Sequence, residues 1–305
     1  PRRRCPRYER TVNGIDDTVE SSAAHPRYRS GFVTLVGRPN TGKSTLINTM
    51  VGEKVTIVSD KPQTTRRIVR GVVHRPDAQI VLVDTPGIHK PRTLLGDRLN
   101  DVASSSLADV DVVVFVIDAT APLGRGDRFV ADLVPKQAIC VVNKIDRARP
   151  HQVMQQLAAA GELGFSDYFP VSARTGDGVA ELIDALLDRL PEGPPYFPSG
   201  ERRDLTEAVW VAELVREELL AVLHDELPHS VACRVTEWEW PRIRCEILVE
   251  RSSQKGIVIG HRGEILKRVG TRVRRQLAPG AFLELAVTVE DGWQRDSTAL
   301  DRLGF

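Results

Sequence analysis

Cysteine is scarce: Cys5, Cys140, Cys233 and Cys245 are the only four in 305 residues. They lie far apart, with no CxxC pair and no accompanying histidines. That excludes a disulfide framework and a zinc site, and it fits a reducing cytoplasm. Long apolar runs are also missing. No stretch approaches the roughly 18–20 consecutive apolar residues of a membrane-spanning helix, and the arginines near the start are not followed by the apolar core of a secretory signal. Net charge is almost absent, with 42 Lys+Arg against 41 Asp+Glu, so the overall balance singles out no partner. The distribution is less even. Arg2, Arg3, Arg4, Arg7, Arg10, Arg27 and Arg29 crowd the first thirty residues, and a second basic cluster spans 262–275.

What is present has the composition of a globular protein, 41% hydrophobic and 27% charged, in a length that accommodates two cores. Residues 1–29 lack hydrophobic periodicity and read as a mobile basic extension, with RNA, anionic lipid or no ligand at all as open readings. From Gly31 the pattern changes. Residues 32–36, 80–83, 112–117 and 139–142 are short apolar runs rich in β-branched residues, as buried strands are. Helical patterns fall at 94–107, 127–133 and 179–190. That alternation predicts an α/β domain over 30–190, a doubly wound sheet that binds ligands at the carboxyl ends of its strands. Residues 191–200 (PEGPPYFPSG) hold four prolines and two glycines and read as an interdomain linker. A smaller α+β domain follows over 201–305. Its expected elements are a helix at 205–226, strands at 232–240 and 242–251, a helical pair around 263–276 and a last strand at 282–289.

The segment Gly37, Arg38, Pro39, Asn40, Thr41, Gly42, Lys43, Ser44, Thr45 matches GxxxxGK[ST], after a strand and before a helix. Glycines let the backbone N–H groups turn inward toward phosphate oxygens, and the helix N-terminus adds its dipole. Lys43 is placed to neutralise the β- and γ-phosphates and Ser44 to ligate Mg²⁺. A chance Gly-rich turn would satisfy that pattern alone, but three further segments follow in order. Asp84, Thr85, Pro86 and Gly87 end a strand where a carboxylate reaches the metal shell and a backbone N–H reaches the γ-phosphate. Asn143, Lys144, Ile145 and Asp146 end another strand. A carboxylate at 146 accepts two hydrogen bonds from N1–H and the exocyclic amine of guanine, a donor pair that adenine lacks. Ser172 and Ala173 offer a backbone contact to the guanine oxygen. Four such segments on one sheet predict a GTP-hydrolysing site.

Between the first two segments lies Lys61-Pro-Gln-Thr64-Thr65-Arg66, a polar stretch suited to a loop that orders around a γ-phosphate. Thr65 is the favoured third Mg²⁺ ligand, although spacing does not separate it from Thr64. Where Ras-type GTPases carry a water-orienting glutamine after DxxG, this chain has Ile88, so hydrolysis by this chain alone should be slow unless other groups orient the water. Asn40 points to one route: in related GTPases an Asn at that place helps hold a K⁺ ion. Lys43, Thr65 and Gly87 are thus the expected catalytic set.

In the second domain, Gly260-His261-Arg262-Gly263 forms a GxxG loop between helical segments. In KH domains such a loop brings the backbone close to a single strand while cations meet the phosphates. A plain helix–turn–helix connection is the bland alternative. The neighbouring Lys255, Arg262, Lys267 and Arg268 and the α-β-β-α-α-β order favour a type II KH domain. His261 is mostly neutral at pH 7, which lowers the expected affinity. Arg272, Arg274 and Arg275 read equally as an RNA face or a solvated one, and Trp238, Trp240 and Trp293 as base-stacking or packing residues.

Taken together, GRPNTGKST, QTTR, DTPGIHKP, NKID, VSA and VIGHRGEILK resemble the Era family, one of the TrmE-Era-EngA-like P-loop GTPases, over residues 30–305. The resemblance implies a monomeric factor in small (30S) ribosomal subunit assembly that binds the 3′ end of 16S rRNA. It also implies GTP/GDP and Mg²⁺ as ligands, a cytoplasmic location, and loose association with the inner face of the membrane. Gly260, His261, Arg262 and Gly263 carry over as the RNA-binding loop, and the neighbouring cations Lys255 and Lys267 are expected to bind RNA beside it. Two other classes stay open at this point: a metabolic or transport GTPase with no RNA affinity, and a membrane-associated regulator whose second domain binds a protein.

Overall fold

The computed structural model describes residues 28–61, 63–87, 93–105 and 109–305. Residues 1–27 of the basic extension, and Ile88, lie outside the described residues. Arg29 belongs to the first strand rather than to the extension, and its guanidinium donates to the Asp188 carbonyl at 2.8 Å.

The first domain runs β1 (Arg29–Val36), α1 (Lys43–Val51), β2 (Val69–Arg75), β3 (Ala78–Asp84), α2 (Leu94–Ser105), β4 (Val112–Asp118), α3 (Arg125–Leu133), β5 (Ile139–Asn143), α4 (Pro150–Gly161), β6 (Asp167–Pro170) and α5 (Val179–Leu187). Its sheet has the order β2-β3-β1-β4-β5-β6. All pairings are parallel except β2 with β3. Helices α1 and α5 bury Leu46, Ile47, Leu182 and Leu186 on one face. Val130, Ala131 and Ala160 from α3 and α4 cover the other. The sheet is therefore doubly wound but mixed. Strand β2 escapes a reading based on apolar runs because Arg70, Gly71 and His74 interrupt it. As an edge strand of this sheet it tolerates them.

Residues 191–204 are not a free tether. Ser30 Oγ donates to the Pro194 carbonyl at 2.6 Å. Gln79, buried in β3, accepts from Tyr196 N and Phe197 N at 2.8 and 3.0 Å and donates to Phe197 O at 2.9 Å. A buried carboxamide needs such partners, and here the proline-rich strap supplies them. The Tyr196 ring packs on Phe32 at 4.6 Å between centroids. Further along, Arg203 bridges Gly71 and Asp204 pairs with Arg70 at 2.7 Å, covering the β2 edge.

The second domain runs α6 (Glu207–Leu220), α7 (Leu227–Ser230), β7 (Ala232–Glu239), β8 (Arg242–Val249), α8 (Ser252–Ile259), α9 (Glu264–Arg274), β9 (Phe282–Val289) and α10 (Ser297–Leu303). Helix α6 stops short of the expected residue 226. Asp225 takes a left-handed conformation (φ 56°), and Pro228, which lacks the N–H a helix interior needs, opens α7. Strand β8 pairs antiparallel with β7 and parallel with β9. Parallel neighbours require a crossover, and α8 and α9 provide it. Helix α10 lacked a clear sequence signal. It packs Leu300 and Leu303, with Trp293, against Leu95 and Leu99 of α2. Among the described residues no helix is long and apolar enough to cross a membrane.

Candidate active site

The loop from Val36 to Lys43 turns sharply at the end of β1, with Asn40 at φ 65° and Gly42 at φ 95°. Lys43 is buried, and its ammonium donates to the carbonyls of Gly37 and Arg38 at 3.0 and 2.9 Å. Burial pulls that ammonium down to about 8, with the charge of Asp84 opposing. The Arg38 side chain turns away to Asp127 of α3 at 2.9 Å, so only its backbone faces the loop. Thr41 Oγ1 closes the turn onto the Arg38 carbonyl. A cavity of about 300 Å³ opens above this loop, lined by Gly42, Lys43, Ser44, Thr45, Thr65 and Gly87 among others.

At its floor, Ser44 Oγ donates to Asp84 Oδ2 at 2.9 Å and sits 3.2 Å from Thr65 Oγ1. Thr65 Oγ1 also donates to Asp84 Oδ2, at 3.3 Å. Thr64 turns its hydroxyl back to the Lys61 carbonyl, so Thr65 is the threonine brought to this cluster. Thr56, which no motif singles out, donates to the same carboxylate oxygen at 2.7 Å. The other oxygen, Asp84 Oδ1, is buried and without a partner. An orphaned carboxylate oxygen beside two hydroxyls is the donor set a hard cation such as Mg²⁺ takes. Burial raises the Asp84 pKa, against the hydrogen bonds from Thr56, Ser44 and Thr65 and the charge of Lys43. Thr85 Oγ1 is spent on the Leu35 carbonyl at 3.2 Å, and Pro86 is buried next to it.

The third segment is braced by Asn143. Its amide donates to the Thr41 carbonyl at 2.8 Å, while its oxygen accepts from Lys144 N at 2.7 Å and Ala173 N at 3.0 Å. One side chain thereby ties together three of the four segments. Lys144 bridges the Asn40 carbonyl and Asp118 Oδ2 at 2.5 and 2.6 Å. Asp146, in the turn Ile145–Arg147, accepts from Ser172 Oγ at 2.8 Å. Arg174 approaches its other oxygen at 3.5 Å. Asp118 and Arg174 have no motif of their own.

In the second domain, Lys255, His261, Arg262 and Lys267 are all exposed around the turn between α8 and α9. Gly260, Arg262 and Gly263 have φ of 77°, 50° and 79°, so three of the four loop residues lie at positive φ. Arg272 is tied to Glu218 of α6 at 3.3 Å. Trp293 is fully buried and donates to the Ser230 carbonyl at 3.2 Å, which removes it from base stacking. Trp238 and Trp240 remain exposed.

Two family profiles match, one described as a 50S ribosome-binding GTPase over residues 32–144 and the other as a KH domain over residues 226–294. GTPase Era of a Nocardioides species is 46% identical to this chain, over 94% of it and the whole of that relative. GTPase Era of Mycobacterium bovis is 48% identical over 91% of this chain and 99% of its own length. Two solved structures superpose closely. One is Era in complex with MgGDPNP and nucleotides 1506–1542 of 16S ribosomal RNA, with a TM-score of 0.87 at 36% identity, covering 91% of this chain and 99% of its own. The other is a point variant of Aquifex aeolicus Era bound to GDP·AlF4⁻, with a TM-score of 0.86 at 35% identity, covering 90% and 99%.

Proposed function

The chain belongs to the Era family of GTPases, and from that premise we infer that it hydrolyses GTP to GDP and phosphate while binding the 3′ end of 16S rRNA. Its role in this reading is assembly of the small ribosomal subunit and maturation of its RNA. The observation that carries the reading is the union in one chain of the Lys43, Ser44, Thr65 and Asp84 cluster with an exposed GxxG loop.

The roles divide by chemistry. Asp146, held by Ser172, accepts the two guanine donors and so rejects adenine. Asn143 and Lys144 brace that wall, with Ala173 N at hand for the guanine oxygen. Lys43 would exchange the Gly37 and Arg38 carbonyls for the β- and γ-phosphates. Ser44, Thr65 and Asp84 would hold Mg²⁺, whose charge offsets that developing on the phosphoryl oxygens. Gly87 offers its N–H to the γ-phosphate, and Asn40 stands where a K⁺ ion would add positive charge. Across the molecule, Lys255, Arg262 and Lys267 meet RNA phosphates, while Gly260 and Gly263 let the backbone come close.

A cytoplasmic location with peripheral contact to the inner membrane face belongs to the same reading, as does a monomeric state. Sedimentation of the full chain with anionic vesicles tests that contact. The central test is binding of labelled single-stranded RNA from the 3′ end of 16S rRNA, with GTP analogue, with GDP, and with Gly260→Asp/Gly263→Asp. Selective binding that needs the glycines is the expected result. No selective binding in either nucleotide state would leave the GTPase and remove the ribosomal role.

A further inference from the structure

One turn of α6, in the RNA domain, grips the loop that carries Thr65. Arg216, 1% exposed, donates through Nη2 to the Thr64 carbonyl, and is itself paired with Glu213, 8% exposed. The next residue, Glu217, accepts from Val58 N at 2.9 Å and from the Lys54 ammonium. The far side of Thr65 is anchored as firmly. Arg66 is buried and donates to the carbonyls of Val231, Pro228 and His229 at 2.7, 3.2 and 3.0 Å, beneath the Trp293 ring. Ile57, earlier in the same loop, lies in the core of the RNA domain with Val211 and Val215. Both peptide neighbours of Thr65 are thus fixed by side chains that cross between domains.

A buried guanidinium without a task at the site is costly, and an apolar pair would serve packing as well or better. Within α6, Glu213 and Arg216 pair only three residues apart, which no helix needs for its own stability. Their external contact is a backbone carbonyl adjoining the hydroxyl that reaches Ser44 and Asp84.

We propose that Arg216 is a positioning residue for GTP hydrolysis: from the RNA domain it sets the peptide that aims Thr65 at the metal site. This rests on the GTPase reading above. Whereas Thr64 lines the cavity above the phosphate loop, Arg216 does not. It acts through the Thr64 carbonyl, and Glu213 holds its fork in register. Since the threonine hydroxyl serves the triphosphate state and is released afterwards, the effect of Arg216 falls on GTP turnover and spares GDP binding.

The test is the double variant Glu213→Leu/Arg216→Met in the full chain, which removes both charges of the pair together and leaves Arg66 on its three carbonyls. Wild type and variant are compared for kcat and KM with GTP, for the Mg²⁺ concentration giving half-maximal hydrolysis, for GDP affinity and for thermal midpoint. The expected result is a kcat lowered at least tenfold and a Mg²⁺ requirement raised several-fold, with KM and GDP affinity within about twofold. Arg216→Lys should recover part of kcat through its single ammonium. Unchanged kcat and Mg²⁺ dependence in the folded double variant would overturn the proposal. So would a parallel fall in GDP affinity and thermal midpoint, which marks a merely structural role. Wild-type protein that fails to hydrolyse GTP would instead sink the GTPase reading itself.

Discussion

The side-chain amide of Asn40 donates to the carbonyl of Asp60 at 2.7 Å, joining the phosphate loop to the segment that carries Thr65. With the amide nitrogen committed there, the side-chain oxygen of Asn40 is the atom that would take part in holding a K⁺ ion. Hydrolysis should therefore be several-fold faster in K⁺ than in Na⁺ at equal ionic strength, and Asn40→Ala should erase the difference. Equal rates in the two salts for the wild type would remove the cation from the mechanism.

Asp146 governs base choice through its two acceptor oxygens. Replacing it by Asn presents an amide donor to a base that also offers a donor, which costs affinity on the order of 100-fold or more, roughly 3 kcal/mol. Xanthine carries an oxygen where guanine carries the amine, so it should gain what guanine loses. Competition of GDP and XDP for Asp146→Asn, read by displacement of a fluorescent nucleotide, checks the exchange.

The two loop glycines are not equivalent. A Cβ added at Gly260 would sit 2.7 Å from Ile265 Cγ1 and 3.0 Å from Ile265 N, whereas at Gly263 nothing lies within 4 Å. Both have left-handed φ, which costs an L-residue about 1 kcal/mol. Gly263→Ala should lower stability by about that much, and Gly260→Ala by more. Thermal or urea midpoints of the two variants give the order, and the reverse order would contradict the packing described.

Asp118 is half-buried. Burial alone would raise its pKa, but hydrogen bonds from Lys144 and Thr120 outweigh this and hold it below the ordinary 3.8. A carboxylate depressed on folding contributes stability above its unfolded value and loses it as pH falls through the folded one. The wild type should therefore exceed Asp118→Asn in stability by a constant amount above about pH 4. The gap should close on acidification. Urea midpoints of the nucleotide-free proteins between pH 2.5 and 6 measure it. A gap that persists undiminished at the acid end would assign the contribution to geometry rather than charge.

Much of this architecture follows from local patterns. The phosphate loop, the Asp84 turn and the Asn143–Asp146 turn are legible because each packs its chemistry into a few consecutive residues at a strand end. Thr56 is not, since its hydroxyl meets Asp84 only after the chain has folded back 28 residues. Arg216 and Glu213 look like ordinary charges on an amphipathic helix until their burial is seen. Strand β2 and helix α10 lack periodic apolar runs, because one is a sheet edge and the other a short cap over α2. Spacing left Thr64 and Thr65 level, and only the direction of each hydroxyl separates them.

The strap of residues 191–204 bears on how the two halves can move. A chain pinned at Gln79, Phe32 and Arg70 offers little slack before α6 begins at Glu207. If the halves part, the joint lies at Leu205 and Thr206, a hinge set close to its frame rather than a ten-residue leash. A short joint keeps the separated faces at high effective concentration, so re-docking should be fast and directional. Cutting the chain at residue 190 would not liberate the first half cleanly. It would strip Gln79 of its three strap bonds and uncover the Phe32 ring on which Tyr196 packs.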